Sequence, residues 1–109
     1  MTAVPPMIAT DRKLLKQQYG KLFDSISATL FDADPIGINF QSNTDEYEPE
    51  VGTILPRLKS AGSVDDVEAI VYEEFCRWFS LEDAGTRKRY HPIAARIWEL
   101  WCEFKKSHA

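Results

Sequence analysis

The chain reads as an all-α protein: a compact four-helix bundle-like single domain with a structured loop between its first two helices. Four stretches repeat apolar residues at three- and four-residue steps, and none alternates apolar with polar residues as a half-buried strand does. Most connections between the stretches are short, which suits a bundle.

The first helix is expected to open at Thr10-Asp11 and to carry Leu14, Leu15, Tyr19, Leu22, Phe23, Ile26, Leu30 and Phe31 on one side for about 20 residues. It must stop before Asp34-Pro35, because the proline ring disfavours helical geometry at Asp34. The following segment, 34–44, is rich in turn residues yet contains Ile36, Ile38 and Phe40, so it is expected to fold back on the core. Thr44 or Asp45 can cap the second helix, with Glu46, Glu48 and Glu50 near its positive end. Val51, Ile54, Leu55 and Leu58 form its stripe, and Pro56 predicts a kinked or short helix.

Ser60-Ala61-Gly62 breaks the chain, and Ser63 with Asp66 resembles a capping box with Asp in place of Glu or Gln. The third helix then carries Val67, Ile70, Val71, Phe75, Trp78 and Phe79 on one face. Leu81 to Arg89 reads as a polar connection with Gly85 and the basic run Arg87-Lys88-Arg89. The fourth helix carries Ile93, Ala94, Ile97, Trp98, Trp101 and Phe104. It starts most simply near His91 with Pro92 in its first turn, or else at Thr86 with a kink at Pro92.

The chain of 109 residues is 44% hydrophobic and 12% aromatic, enough for one domain with a core of its own. All of 1–109 is read as that domain, with 1–9 a flexible lead and 105–109 a frayed tail. No apolar run reaches the roughly 20 residues of a membrane span, and Met1 to Thr10 lacks a signal peptide's charged start. A cytoplasmic protein without a membrane partner is expected. Cys76 and Cys102 lie in apolar segments without C-x-x-C spacing and read as reduced, buried hydrophobes.

Charge is distributed unevenly. From Asp24 to Glu74 twelve acids face only Arg57 and Lys59, a net −10, whereas each flank carries +3. Such a segment repels nucleic acid and attracts a basic protein; an ordinary solvated acidic face is the alternative. Asp32-Ala33-Asp34-Pro35-Ile36-Gly37 begins like a calcium loop and then fails, with Ile36 at a ligand position and Asn43 where the closing Glu belongs. A turn in which the Asp side chain bonds local backbone amides fits better.

The cluster Asp45, Glu46, Glu48 and Glu50 has no accompanying His, Ser or Lys for acid–base work. His91 and His108 have no Cys or His at metal-ligand spacing. No nucleotide, hydrolase or zinc-protease fingerprint is present, so the expectation is a non-enzyme with no catalytic residues, no metal and no cofactor. Arg87-Lys88-Arg89 with Tyr90 is too short a basic run to suggest nucleic acid binding.

Asp34-Pro35-Ile36-Gly37-Ile38, followed by Asp45-Glu46-Tyr47-Glu48 and then Val51, Ile54 and Leu58, resembles the D-P-(I/L)-G … D-E-Y … I-x-x-(I/L) pattern of a family of small bacterial helical proteins. Many of those resemble the immunity proteins paired with polymorphic or contact-dependent toxins. The resemblance covers residues 22–79 and, loosely, the last helix. It implies a fold and a class of role but no established activity. Physically, Asp34, Pro35 and Gly37 stop a helix and turn the chain, Asp45 and Glu46 cap the next helix, and Tyr47 packs its ring under the loop.

The function expected is therefore a non-catalytic, immunity-type inhibitor, monomeric or homodimeric, that neutralises a basic protein toxin through an acidic face. Its contact residues would be Asp45, Glu46, Glu48, Glu50, Asp65, Asp66 and Glu68. The alternative is an acidic DNA mimic or regulatory accessory protein acting on a nucleic-acid enzyme.

Overall fold

A computed structural model describes residues 9–37 and 47–107. Among these residues the chain is mostly helical, with no strand. It forms α1 (Ala9–Tyr19), α2 (Lys21–Ala33), α3 (Glu48–Ile54), a 3-10 turn over Leu55–Ser60, α4 (Val64–Trp78), α5 (Leu81–Ala84), a second 3-10 turn over Arg87–Tyr90, and α6 (His91–Ser107). The Cα radius of gyration is 13.1 Å, matching the roughly 13 Å of a compact chain this long.

The first expected helix is two helices. Gly20 adopts φ 57°, and its N–H still closes the last turn of α1 on Lys16 O at 2.8 Å. With ψ −127° this is a backbone shape that glycine alone adopts readily, and it lets the chain restart at a new angle. Asp34, at φ 49°, ψ 56°, instead ends α2 in the left-handed helical conformation, its N–H bonded to Leu30 O. Pro35 and Gly37 then complete a turn closed by Gly37 N–H on Asp34 O at 3.1 Å.

The expected cap of the second helix, Thr44 or Asp45, lies outside the described residues. Tyr47 holds the N-cap position of α3 without a side-chain cap bond, and Pro49 sits in the first turn, where its missing N–H costs nothing. The helix stays short: ahead of Pro56 the backbone tightens into the first 3-10 turn. Ser63 caps α4 as its spacing predicts, its Oγ accepting from Asp66 N–H at 3.2 Å. The expected polar connection at 81–89 instead contains α5, capped by Ser80 Oγ accepting from Asp83 N–H, and the second 3-10 turn. That turn runs directly into α6, which starts at His91 as the simpler of the two expectations has it.

The α4–α6 pair forms the centre, α2 packs along α6, and α3 closes over α4. Phe75 is the hub, with the rings of Tyr47, Phe79 and Tyr90 at 5.9, 5.7 and 5.2 Å. Phe23, Ile26, Leu30, Val51, Ile54, Leu55, Leu58, Val67, Val71, Ala94 and Ile97 fill the rest. Phe79, Trp98 and Phe104, expected within the core, lie at its margin, and Trp78 is half-buried. There Trp78 Nε1 donates to Thr53 Oγ1 at 2.9 Å, and Lys105 Nζ sits over Trp98 and Trp101. Cys76 and Cys102 are free thiols and half-buried rather than buried. No described helix is long and apolar enough to cross a membrane.

Candidate functional site

The residues of the loop motif form a bonded unit. Tyr47, fully buried, donates its hydroxyl to Asp34 Oδ1 at 2.7 Å, and the Tyr47 hydroxyl oxygen accepts from Ile36 N–H at 3.3 Å. The Asp34 carboxylate was expected to bond local amides; here it holds a tyrosine hydroxyl, which in turn reaches the local amide. The 34–37 turn is thus fastened to the start of α3 across the 38–46 segment, of which Asp45 and Glu46 are part and which lies outside the described residues.

Arg89 fastens the turn from the other side. Its Nη1 lies 2.8 Å from Pro35 O, 3.1 Å from Ala84 O and 3.3 Å from Asp83 O. Gly85 makes room for it: at φ 82°, a Cβ there would fall 2.6 Å from the guanidinium carbon. Tyr90, fully buried, donates to Ala84 O at 2.6 Å, and burial pushes its phenol up to about 12.

The acids expected to form one contact face are divided. Glu50 (4% exposed) and Glu68 (9%) are buried, as is Glu74 (2%). Glu68 accepts from Arg87 Nε at 2.7 Å and lies 3.0 Å from His91 Nδ1; the Arg87 bond above all holds its carboxyl below the usual range. Arg57 bridges Glu73 and Glu74 at 2.8 and 2.9 Å, and the guanidinium pKa rises through those bonds. Glu48 is held by Arg12 at 3.3 Å and Lys16 at 3.1 Å. Asp65 is exposed and pairs with Arg87 at 3.3 Å. Asp66, also exposed, serves the α4 cap, with its Oδ2 accepting from Gly62 N–H at 2.8 Å.

The three buried acids have a signal in the sequence. Glu50 stands three residues after Tyr47, Glu68 three before Val71, and Glu74 three after Val71, all on apolar stripes.

One groove open to a partner lies along α2. From α2, Asp24, Ser27, Ala28, Phe31 and Asp32 line, together with Glu48, this groove of about 390 Å³. Asp24 and Asp32 are exposed and have no ion-pair or hydrogen-bond partner among the described residues. A larger groove of about 560 Å³ lies where α1 meets α2, against the end of α6. Its charged residues, Lys21 and Glu103, offset each other. No group of three His, Cys, Asp or Glu residues converges to hold a metal among the described residues. The pair of exposed His91 and buried Glu68 has no hydroxyl or thiol bonded to it among the described residues.

No protein-family model, curated protein or solved structure matches the chain.

Proposed function

We propose that the chain is a non-catalytic protein-interaction module of the immunity type, acting in the cytoplasm to bind and neutralise a basic protein. One observation carries this reading: the chain spends its strongest cations on itself and leaves acids free along α2. All six arginines engage its own carboxylates or carbonyls, while Asp24 and Asp32 stand exposed on one groove. A surface of that sign steers a cationic partner to it and disfavours an acidic one. The likeness of the D-P-I-G and D-E-Y segments to an immunity-like family supports the same reading. The motif residues themselves act as architecture, so the contact acids move from the buried Glu50 and Glu68 to Asp24 and Asp32.

Affinity capture at low and high salt, followed by stopped-flow association with the retained protein, tests the proposal. A basic protein whose association slows steeply with salt, and whose activity is blocked by the chain, is the expected result. Retention of no basic protein, or association indifferent to salt, overturns it.

A further inference from the structure

Ser27 is a buried side chain (4% exposed) whose Oγ has no hydrogen-bond partner among the described residues, and it lines the acidic groove of α2. A buried hydroxyl without a partner is an unmet demand, because folding strips its water and returns nothing. Its position is informative. Asp24 lies about one helical turn before it and Asp32 five residues after it, both lining the same groove, with Ala28 beside it and Phe31 adding an aromatic wall.

Every polar side-chain group that α2 contributes to the groove can accept a hydrogen bond, and the two carboxylates can do nothing else. The ligand must therefore be rich in donors and positively charged. A metal ion does not fit, since eight residues of helix separate the carboxylates by about 12 Å, far beyond a shared coordination sphere. An arginine side chain fits each requirement: five donors, no acceptor, and a flat face that stacks on an aromatic ring. In an extended segment, arginines four residues apart point to the same side at a separation of about 13 Å, the spacing of the two carboxylates.

We infer that the α2 groove, with Asp24 and Asp32 at its ends and Ser27 between them, seats an extended segment of the basic partner carrying two arginines in R-x-x-x-R spacing. This rests on the reading under Proposed function and assigns its contact. Glu48, already held by Arg12 and Lys16, bounds the groove without drawing a cation.

The test is an NMR titration of the ¹⁵N-labelled chain with an acetylated Arg-Gly-Ser-Gly-Arg amide. Its citrulline counterpart, a peptide with adjacent arginines and spermidine serve as comparisons. Shifts confined to residues 24–32 and the start of α3, no binding by the citrulline peptide, and a roughly tenfold weakening in Asp24→Asn/Asp32→Asn support the assignment. Ser27→Ala is expected to weaken binding about two- to fivefold with the helical spectrum unchanged. Shifts centred on Asp65, Asp66 or Glu82, equal binding by the citrulline or adjacent-arginine peptide, or spermidine binding as tightly at the same residues overturns it. A captured partner that binds the double Asn variant undiminished overturns the groove alone. Capture of no basic protein in the preceding experiment overturns the reading on which it rests.

Discussion

Arg87 and Arg89 stand two residues apart in one 3-10 turn and are used in opposite ways. Arg87 reaches the carboxylates of α4, bonding Glu68 and Asp65. Arg89 reaches the carbonyls of Pro35, Asp83 and Ala84. Both clasp a connection to the body of the protein. The difference lies in the acceptor: a carboxylate can be protonated and its attraction screened, whereas a carbonyl keeps its acceptor at every ordinary pH. Around Arg89 the clasp is completed by the buried hydroxyls of Tyr47 and Tyr90, while the Arg87 side is open to solvent. The Arg89 bonds to the motif turn are therefore less sensitive to salt than the Arg87 bonds at the α4–α6 edge.

The largest effect that would sharpen this contrast is expected from Tyr47→Ala. It removes a fully buried ring from against Phe75 and should cost about 3–5 kcal/mol in denaturant unfolding, at low and high salt alike. Gly85→Ala forces a Cβ into the Arg89 guanidinium at positive φ; a loss of about 1–3 kcal/mol, again independent of salt, is expected. Tyr47→Phe keeps the ring and deletes only the bridge between Asp34 and Ile36, at about 1–2 kcal/mol.

Smaller effects come from titration, and their signs differ on the two sides. Tyr90 keeps its proton in the folded state up to about 12, against an ordinary value of 10.0. Its contribution to stability is thus complete below pH 10 and lost as pH rises toward 12, a slope that Tyr90→Phe should flatten. Glu68 is shifted the other way: its contribution is present above its ordinary 4.5 and lost as pH falls through the lowered folded value. Glu68→Gln should flatten the acid side and reduce the salt dependence of unfolding. If instead Tyr47→Phe proved strongly salt-dependent and Glu68→Gln did not, the contrast between the two clasps would be wrong.

The fold was largely readable because its determinants are local. The stripes of α4 and α6, the Ser63 cap, the stop before Pro35 and the shortening at Pro56 each follow from residue type at a fixed spacing. The break at Gly20 was not readable, because the glycine falls between Tyr19 and Leu22 and leaves the apolar period intact across it. The expectation of one acidic face treated every acid as solvated, although Glu50, Glu68 and Glu74 occupy stripe positions. The groove escaped notice for another reason. It takes Asp24 and Asp32 from a helix whose apolar side drew the reading, and Ser27 becomes informative only once its lack of a partner is seen. The Arg89 clasp spans 54 positions, from a basic run to a carbonyl, and no sequence period encodes such a bond.

The Gly20 break also has a dynamic side. It leaves α1 with its last residue, Tyr19, buried against Trp101 and Phe104, a half-buried Leu15, and an ionic hold on Glu48 through Arg12 and Lys16. Leu14 faces solvent. A helix with so little anchorage opens sub-globally well before the α4–α6 centre, so its amides exchange with solvent deuterium first and at a free energy that falls as salt is added. Each such opening releases the two cations from Glu48, and one wall of the α2 groove regains a full negative charge for as long as α1 is away.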